Sequence, residues 1–262
     1  MPLISAAAAT LAGFLCRLPP RSGRTVALRA LSWLVRGHPV RSRLGVFLVA
    51  DLSDKTNLFC LLGQYETVPD EVAALRPGMC FIDIGANCGL FTTLAAKRVG
   101  ASGLVIAFEP SPREFRTLVR NVGFNNCDNV LAFNLAVGQK TGRIPFALNT
   151  GGHTGVNSVA SSGQGNVELF VFGDAAVLAP FVDGRPTVIK IDVEGFEVNV
   201  IRGLAGLLAI VVVERVIVEI NGENLAKHGA TIAELYGELA ALGFSPRIGM
   251  NEAAQYDEVF IR

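Results

Sequence analysis

Phe81-Ile82-Asp83-Ile84-Gly85-Ala86-Asn87-Cys88-Gly89-Leu90, taken with Val105-Ile106-Ala107-Phe108-Glu109-Pro110 downstream, reads as a buried strand, a glycine-punctuated turn, a helix start and a second buried strand ending on an acid. That order is the layout of a nucleotide-binding half-site. Glycines let the backbone approach a ligand, and a terminal acid can grip two ribose hydroxyls. A dinucleotide fingerprint needs Gly-x-Gly-x-x-Gly to seat a pyrophosphate on the helix N-terminus. Here the turn is Asp83-x-Gly85-x-Asn87-x-Gly89, which keeps the tight turn and an acid but lacks the phosphate cradle. A ligand with an amino-acid tail in place of pyrophosphate fits better, and S-adenosylmethionine is such a ligand. Its ammonium could pair with a carboxylate or carbonyls, and its carboxylate with backbone N–H groups. Glu109 lies twenty positions after Gly89, where it could bond the ribose diol, and Ser111 is placed to cap the next helix.

Outward from this stretch the pattern is regular. Apolar runs at 80–84, 104–108, 129–136, 187–192 and 211–220 read as strands, and 90–99, 112–122, 196–208 and 231–242 read as helices. Such alternation predicts a parallel sheet with right-handed crossovers. Two last strands, 244–248 and 257–261, are joined by a short polar turn and must be antiparallel. The expected fold is α/β, a mostly parallel seven-stranded sheet whose last strand is antiparallel. Residues 138–173 depart from the alternation. Strands at 143–148 and 167–172 flank a Gly/Ser/Thr/Asn-rich segment at 149–166. We read an inserted hairpin with a flexible tip over the cleft, against the competing reading of a surface excursion. Residues 1–45 read as an N-terminal helical extension broken at Pro19-Pro20 and Gly37-His38-Pro39, and 46–262 as the main domain. Its lead-in, 45–78, reads as a hairpin of strands 45–51 and 57–62 followed by a helix at 69–75.

The chain has 262 residues, of which half are hydrophobic, and a mean hydropathy of +0.43. Apolar mass in Ala, Val, Leu and Ile suits buried parallel strands. Lys plus Arg and Asp plus Glu both number 23, so no overall basic field points to nucleic acid. Between Arg17 and Arg43 the chain carries several arginines and no acid. With the apolar run Leu3–Cys16, this suits peripheral contact with an anionic membrane; the plainer reading is a solvated helical cap on the main domain. The run is too short to span a bilayer and has no basic segment before it, which weakens a signal-peptide reading. Five cysteines without a Cys-x-x-Cys pair argue against a disulfide scaffold or structural zinc, and read as free, partly buried thiols in a reducing cytoplasm.

The sequence resembles the FkbM family of S-adenosylmethionine-dependent methyltransferases. The likeness is carried by 81–90, by Phe108-Glu-Pro-Ser-Pro112, by Asn134-Leu-Ala-Val-Gly138, and by Ile189-Lys-Ile-Asp-Val-Glu-Gly-Phe-Glu197. Val218-Glu219-Ile220 extends it, and Asp51–Asp54 and Gly63–Glu66 look like the family's lead-in. The resemblance implies a class I methyltransferase Rossmann-like fold. It also implies O-methylation of a hydroxyl on a sugar, glycolipid, polyketide or related metabolite. It places cofactor contacts at Asp83, Gly85, Ala86, Asn87, Gly89, Glu109, Pro110 and Ser111. Many class I relatives set an acid after the third strand to bind adenine. Here Asn134, Leu135 and Ala136 stand there, so Asn134 or main chain at Ala136 is expected in that role.

Methyl transfer needs the acceptor oxygen aligned and its proton removed or shared. Asp192 sits at the carboxyl end of the predicted fourth core strand, where ligands bind in open α/β sheets, and Glu194 follows across a turn. Both are candidates for the base or hydrogen-bond acceptor. Lys190, two residues earlier on the same strand face, could hold a carboxylate or touch the acceptor. Their competing reading is a structural ion pair at a strand end. His153, on the loop, could act as base if the loop closes. Glu219 could line the same cleft, but no third acid in a clear ligand spacing supports a metal, and none is expected. The expected acceptor is a small hydroxylated molecule, a carbohydrate or lipid-linked sugar. A nicotinamide-dependent oxidoreductase and a catalytically silent S-adenosylmethionine-binding module are the alternatives.

Overall fold

In the computed structural model, which describes residues 2–19, 23–65, 67–149, 157–160 and 165–262, a lead-in layer precedes the main sheet. It comprises α1 (Pro2–Arg17), α2 (Arg24–Ala30), α3 (Ser32–Val35), the antiparallel pair β1 (Pro39–Arg41) and β2 (Phe47–Val49), α4 (Lys55–Leu62) and α5 (Thr67–Ala73). The strand expected at 57–62 is a helix. Asp54 caps it, its side chain accepting from Asn57 N at 2.9 Å, and Gly63 ends it at φ 59°. The apolar run presents Leu58, Leu61 and Leu62 to the core at helical spacing. The partner of β2 is therefore β1, which lies inside the stretch expected to be helical. Among the described residues no helix is long and apolar enough to cross a membrane.

The core begins with β3 (Cys80–Ile84), α6 (Leu90–Val99), β4 (Leu104–Phe108), α7 (Pro112–Phe124) and β5 (Val130–Phe133). The single strand expected at 129–136 is cut at Asn134. Beyond it β6 (Ala136–Val137), β7 (Gly142–Ala147), β8 (Ser158–Val159) and β9 (Val167–Phe172) form a second sheet in the order β6-β9-β7-β8, with β7 and β9 antiparallel. After a 3₁₀ turn at Ala175–Leu178 and α8 (Ala179–Val182), the chain returns with β10 (Thr187–Ile191), α9 (Glu197–Ile210), β11 (Val213–Asn221), α10 (Gly222–Lys227), α11 (Ile232–Ala241), β12 (Ser245–Pro246) and β13 (Gln255–Ile261).

The main sheet runs β12-β13-β11-β10-β3-β4-β5. Strands β3, β4, β5, β10 and β11 are parallel, and β13 lies antiparallel between β11 and β12. This is the seven-stranded, class I methyltransferase Rossmann-like architecture. Strand residues alternate between two cores. Phe81, Val105, Val188 and Ile217 pack toward α6 and the lead-in layer. Ile82, Ile106, Ile189 and Val218 pack toward α9 and α11. Burial on both faces explains the near-continuous apolar strands. One irregularity matters for the site. Thr187 pairs with Val213 but Val188 pairs with Arg215, so β11 carries an extra residue, Glu214, at that point.

Candidate active site

The carboxyl ends of β3, β4, β10 and β11 open on a cavity of about 700 Å³. Its floor is the glycine turn. Gly85 N and Ala86 N both donate to Phe108 O at 3.0 Å, which ties the turn to β4. Gly85 has φ 79°, and a Cβ there would lie 1.7 Å from Asp192 O, so only glycine lets the turn pass the end of β10. Asn87 takes φ 50°, a conformation that Asn tolerates better than most residues. Its N–H donates to Glu109 Oε2 at 2.8 Å, while Ser111 N–H donates to Glu109 Oε1 at 2.8 Å. Each oxygen of Glu109 thus takes one backbone donor, and the remaining lone pairs can serve the cavity that the residue lines. Burial pushes this carboxyl up to about 8 against the pull of the two N–H groups.

Several expected ligand contacts lie behind this surface. Asp83 is fully buried and does not line the cavity. Thr92 Oγ1 donates to its Oδ2 at 2.6 Å, and Lys190 Nζ stands 3.7 Å from its Oδ1. Lys190 is also buried, and reaches Asp192 Oδ2 at 3.0 Å and the Phe91 ring at 5.7 Å. Burial works to lower its pKa, but the charges of Asp192 and Asp83 outweigh that and hold it above the ordinary lysine value. Lys190 therefore bridges the two acids and does not face the acceptor space. Ser111 occupies the N-cap position of α7, but its hydroxyl donates to the Glu114 carboxylate and accepts no backbone N–H of the helix. Asn134 spends both amide hydrogens on Glu109 O and Pro110 O, at 2.8 and 2.9 Å, and braces that corner from outside the cavity. Ala86 and Gly89 shape the turn without lining the cavity, whereas Gly85, Asn87, Glu109, Pro110 and Ala136 do line it. His153 lies outside the described residues.

At the far rim Asp192, Glu194 and Glu219 each bring a carboxylate oxygen within 4.8 Å of the others. Glu194 stands at φ 56° in a turn closed by Gly195 N donating to Glu197 Oε1 at 2.9 Å. A Cβ on Gly195 would lie 2.4 Å from Asn224 O, which packs α10 against the turn. Asn224 Nδ2 donates to Glu194 Oε2 at 2.9 Å, and Gln255 Nε2 donates to Glu219 Oε1 at 2.7 Å. Burial, followed by the Asp192 charge, pushes Glu194 up to about 8. The Asp192 charge, followed by burial, pushes Glu219 up to about 9. Among the described residues this is the group of acids that could hold a metal ion. Glu219, expected to line the same cleft, joins Asp192 and Glu194 from β11 through that strand's pairing with β10.

Other cavity residues also escaped the sequence reading. Gln255 belongs to the antiparallel β13, and Asn221 and Asn224 to the β11–α10 corner. Tyr65 lines the lead-in side, edge-on to Phe59 and Phe91 at 4.9 and 4.8 Å. Its only signal was the Gly63–Glu66 block. Asn121 and Asn125 are buried ties: Asn121 bonds Val49 N and Cys88 O, and Asn125 bonds Phe47 on both sides.

Among solved structures, a SAM dependent methyltransferase from Aquifex aeolicus overlays with a TM-score of 0.40 at 15% identity, over 80% of this chain and 93% of that one. Aeropyrum pernix fibrillarin, solved with natively bound S-adenosyl-L-methionine, gives 0.42 at 10% identity, over 71% and 67%. Among curated proteins, the chain is 30% identical over 139 residues to the hexuronic acid methyltransferase AglP of Haloferax volcanii, covering 53% of this chain and 54% of that protein. It is 29% identical over 154 residues to Methyltransferase 1 of Beauveria bassiana, covering 51% and 61%. The matches thus span somewhat over half the length of these relatives. Residues 83–246, well over half of the chain, match the family described as the Methyltransferase FkbM domain. With the glycine turn, the Glu109 corner and the acidic end of β10 all inside that match, the chain belongs to the FkbM methyltransferase domain family.

Proposed function

We propose that this protein uses S-adenosylmethionine to methylate a hydroxyl group of a carbohydrate or lipid-linked sugar. The observation that carries the reading is Glu109, a cavity-lining carboxylate at the end of β4 whose two oxygens are aimed by Asn87 N–H and Ser111 N–H. The donor set suits the ligand. Glu109 has acceptor capacity for a ribose diol, Leu135 and Val137 offer apolar surface for a base, and the acids at the rim suit an ammonium and a sulfonium. When bound, S-adenosylmethionine supplies the activated methyl group.

The protein's own task is to hold the acceptor hydroxyl and take its proton. Asp192, fixed by Lys190, is the group we assign to receive it. Glu219, with its pKa raised, keeps a proton at neutral pH and can donate a hydrogen bond to Asp192 or the acceptor. Asn221, Asn224 and Gln255 beside these acids are side chains that bond sugar hydroxyls. The hexuronic acid named for the Haloferax relative supports a sugar acceptor. On the lead-in layer, α1 exposes Ile4, Leu11 and Phe14, and Leu18 just past its end is exposed too, beside arginines in a stretch without acids; this supports peripheral contact with an anionic membrane. The deciding experiment supplies labelled S-adenosylmethionine and a panel of glycosides and lipid-linked sugars. Labelled glycoside with stoichiometric S-adenosylhomocysteine is expected; transfer to a nitrogen acceptor alone, or no binding of S-adenosylmethionine by calorimetry, would defeat the reading.

A further inference from the structure

Five cysteines are free and buried, and two of them meet. Cys60, on α4, and Cys88, inside the glycine turn, place their Sγ atoms 3.6 Å apart. Cys88 S–H donates to Cys60, and the Tyr65 hydroxyl stands 3.2 Å from the same sulfur. A disulfide needs an S–S distance of about 2.05 Å, so an approach of roughly 1.5 Å would join them. The pair is not sealed from small molecules by distance. Tyr65, which covers Cys60, lines the main cavity, and Cys88 lines a second recess of about 180 Å³.

We propose that Cys60 and Cys88 are a reversible dithiol–disulfide site through which a peroxide controls the cofactor turn. The hydrogen bond from Cys88, against burial and with help from Tyr65, lowers the Cys60 pKa, which makes Cys60 the better nucleophile. The Cys60 thiolate attacks one oxygen of hydrogen peroxide. An S–O bond forms, the O–O bond breaks, and the departing hydroxide takes a proton to become water. Cys88 then attacks the sulfenic sulfur. The S–S bond forms, the S–O bond breaks, and the hydroxide leaves as water with the Cys88 proton. Two thiols are oxidised and one peroxide is reduced to two waters.

Drawing Cys88 toward α4 drags Asn87, its chain neighbour, whose N–H orients Glu109. The predicted effect on ligand binding rests on our assignment of Glu109 to the cofactor; the disulfide itself does not. The test treats the full-length protein with hydrogen peroxide and maps peptides by mass spectrometry without reduction. A Cys60–Cys88 cross-linked peptide, reversed by dithiothreitol and absent from Cys60→Ser and Cys88→Ser, is expected. S-adenosylhomocysteine affinity measured on the same samples should fall about fivefold or more, within the usual range for coupled sites, and recover on reduction. Recovery of both thiols unmodified, or as sulfinic acids without the cross-link, overturns the site. A cross-link with unchanged affinity in a protein that binds S-adenosylhomocysteine overturns the control of the turn, and a reduced protein that binds none of it indicts the cofactor assignment instead.

Discussion

Asp83 and Lys190 stand directly opposite each other on the paired strands β3 and β10, both side chains buried on the α6 face and 3.7 Å apart. The strand pairing thus places the cation that also grips Asp192 at the carboxyl end of β10. Removing it strands two acids. We expect Lys190→Met to lose about 3–5 kcal/mol of stability in urea denaturation, the range for a broken buried pair. The double variant Lys190→Met/Asp83→Asn should recover part of that loss, because the uncompensated charge is gone. A Lys190→Met protein as stable as the parent would exclude the bridge.

Glu109 makes a separate prediction. Measured at pH 9, above its raised pKa, Glu109→Gln keeps the size but loses the charge and one acceptor. Since hydrogen bonds to charged groups contribute about 1.5–3 kcal/mol, S-adenosylmethionine affinity by calorimetry should fall about 10- to 100-fold. Far-UV circular dichroism should not change. Equal affinity in parent and variant would remove Glu109 from the ribose position.

For Asp192→Asn, cofactor binding should persist while kcat falls about 10²- to 10⁴-fold, the usual worth of a general base. Glu194→Gln, further along the turn, should cost less. Undiminished turnover by Asp192→Asn on the labelled acceptor would shift the base to another residue.

Stability should depend on pH in an unusual direction. Glu109 and Glu194 are raised to about 8, Glu197 to about 7 and Glu219 to about 9, all from an ordinary value of 4.5. Between pH 4.5 and these values the folded chain holds protons that the unfolded chain has released. Stability from these groups is therefore fully present below pH 4.5 and is lost as pH rises through 7 to 9. The ligand-free protein should melt at a lower temperature at pH 9 than at pH 6. Glu219→Gln should flatten the slope, and a melting temperature that rises from pH 6 to pH 9 would contradict the raised values.

The exposed stripe Ile4, Leu11 and Phe14 on α1, with Leu18 just beyond it, leads to a vesicle experiment. The protein should co-sediment with vesicles containing phosphatidylglycerol and less with pure phosphatidylcholine, with binding falling as salt screens the arginines. Leu11→Glu/Phe14→Glu should abolish it without a change in melting temperature. Equal recovery in the supernatant for all samples would leave α1 as a cap alone.

Much of this was legible in the chain because local signals agreed. Strands 80–84 and 104–108 and the helix between them coincide with the expected bounds, each set off by glycine or proline. The segment 57–62 reads as a strand because its apolar run fits either period, and the deciding cap, Asp54, lies just before it. Asn134 suggested a ligand contact, yet its amide serves the chain's own corner; a side chain that can bond a base can equally bond a carbonyl. Glu219 could be suspected, but its closeness to Asp192 and Glu194 depends on cross-strand alignment, which no linear spacing encodes.

That alignment traces to the extra residue at Glu214. Counting on from Val188 opposite Arg215, the position after Ile191 falls opposite Glu219; without the skip it would fall opposite Val218, whose side chain belongs to the other face. Arg76 clamps Glu214 at 2.6 Å. A chain in which Glu214 itself paired with Val188, in unbroken register, would keep every acid in its sequence and yet turn the Glu219 carboxylate away from its partner, about five residues or roughly 17 Å along the strand from the slip. Silent relatives with an intact acidic motif are to be sought by the register of that strand and not by the motif itself.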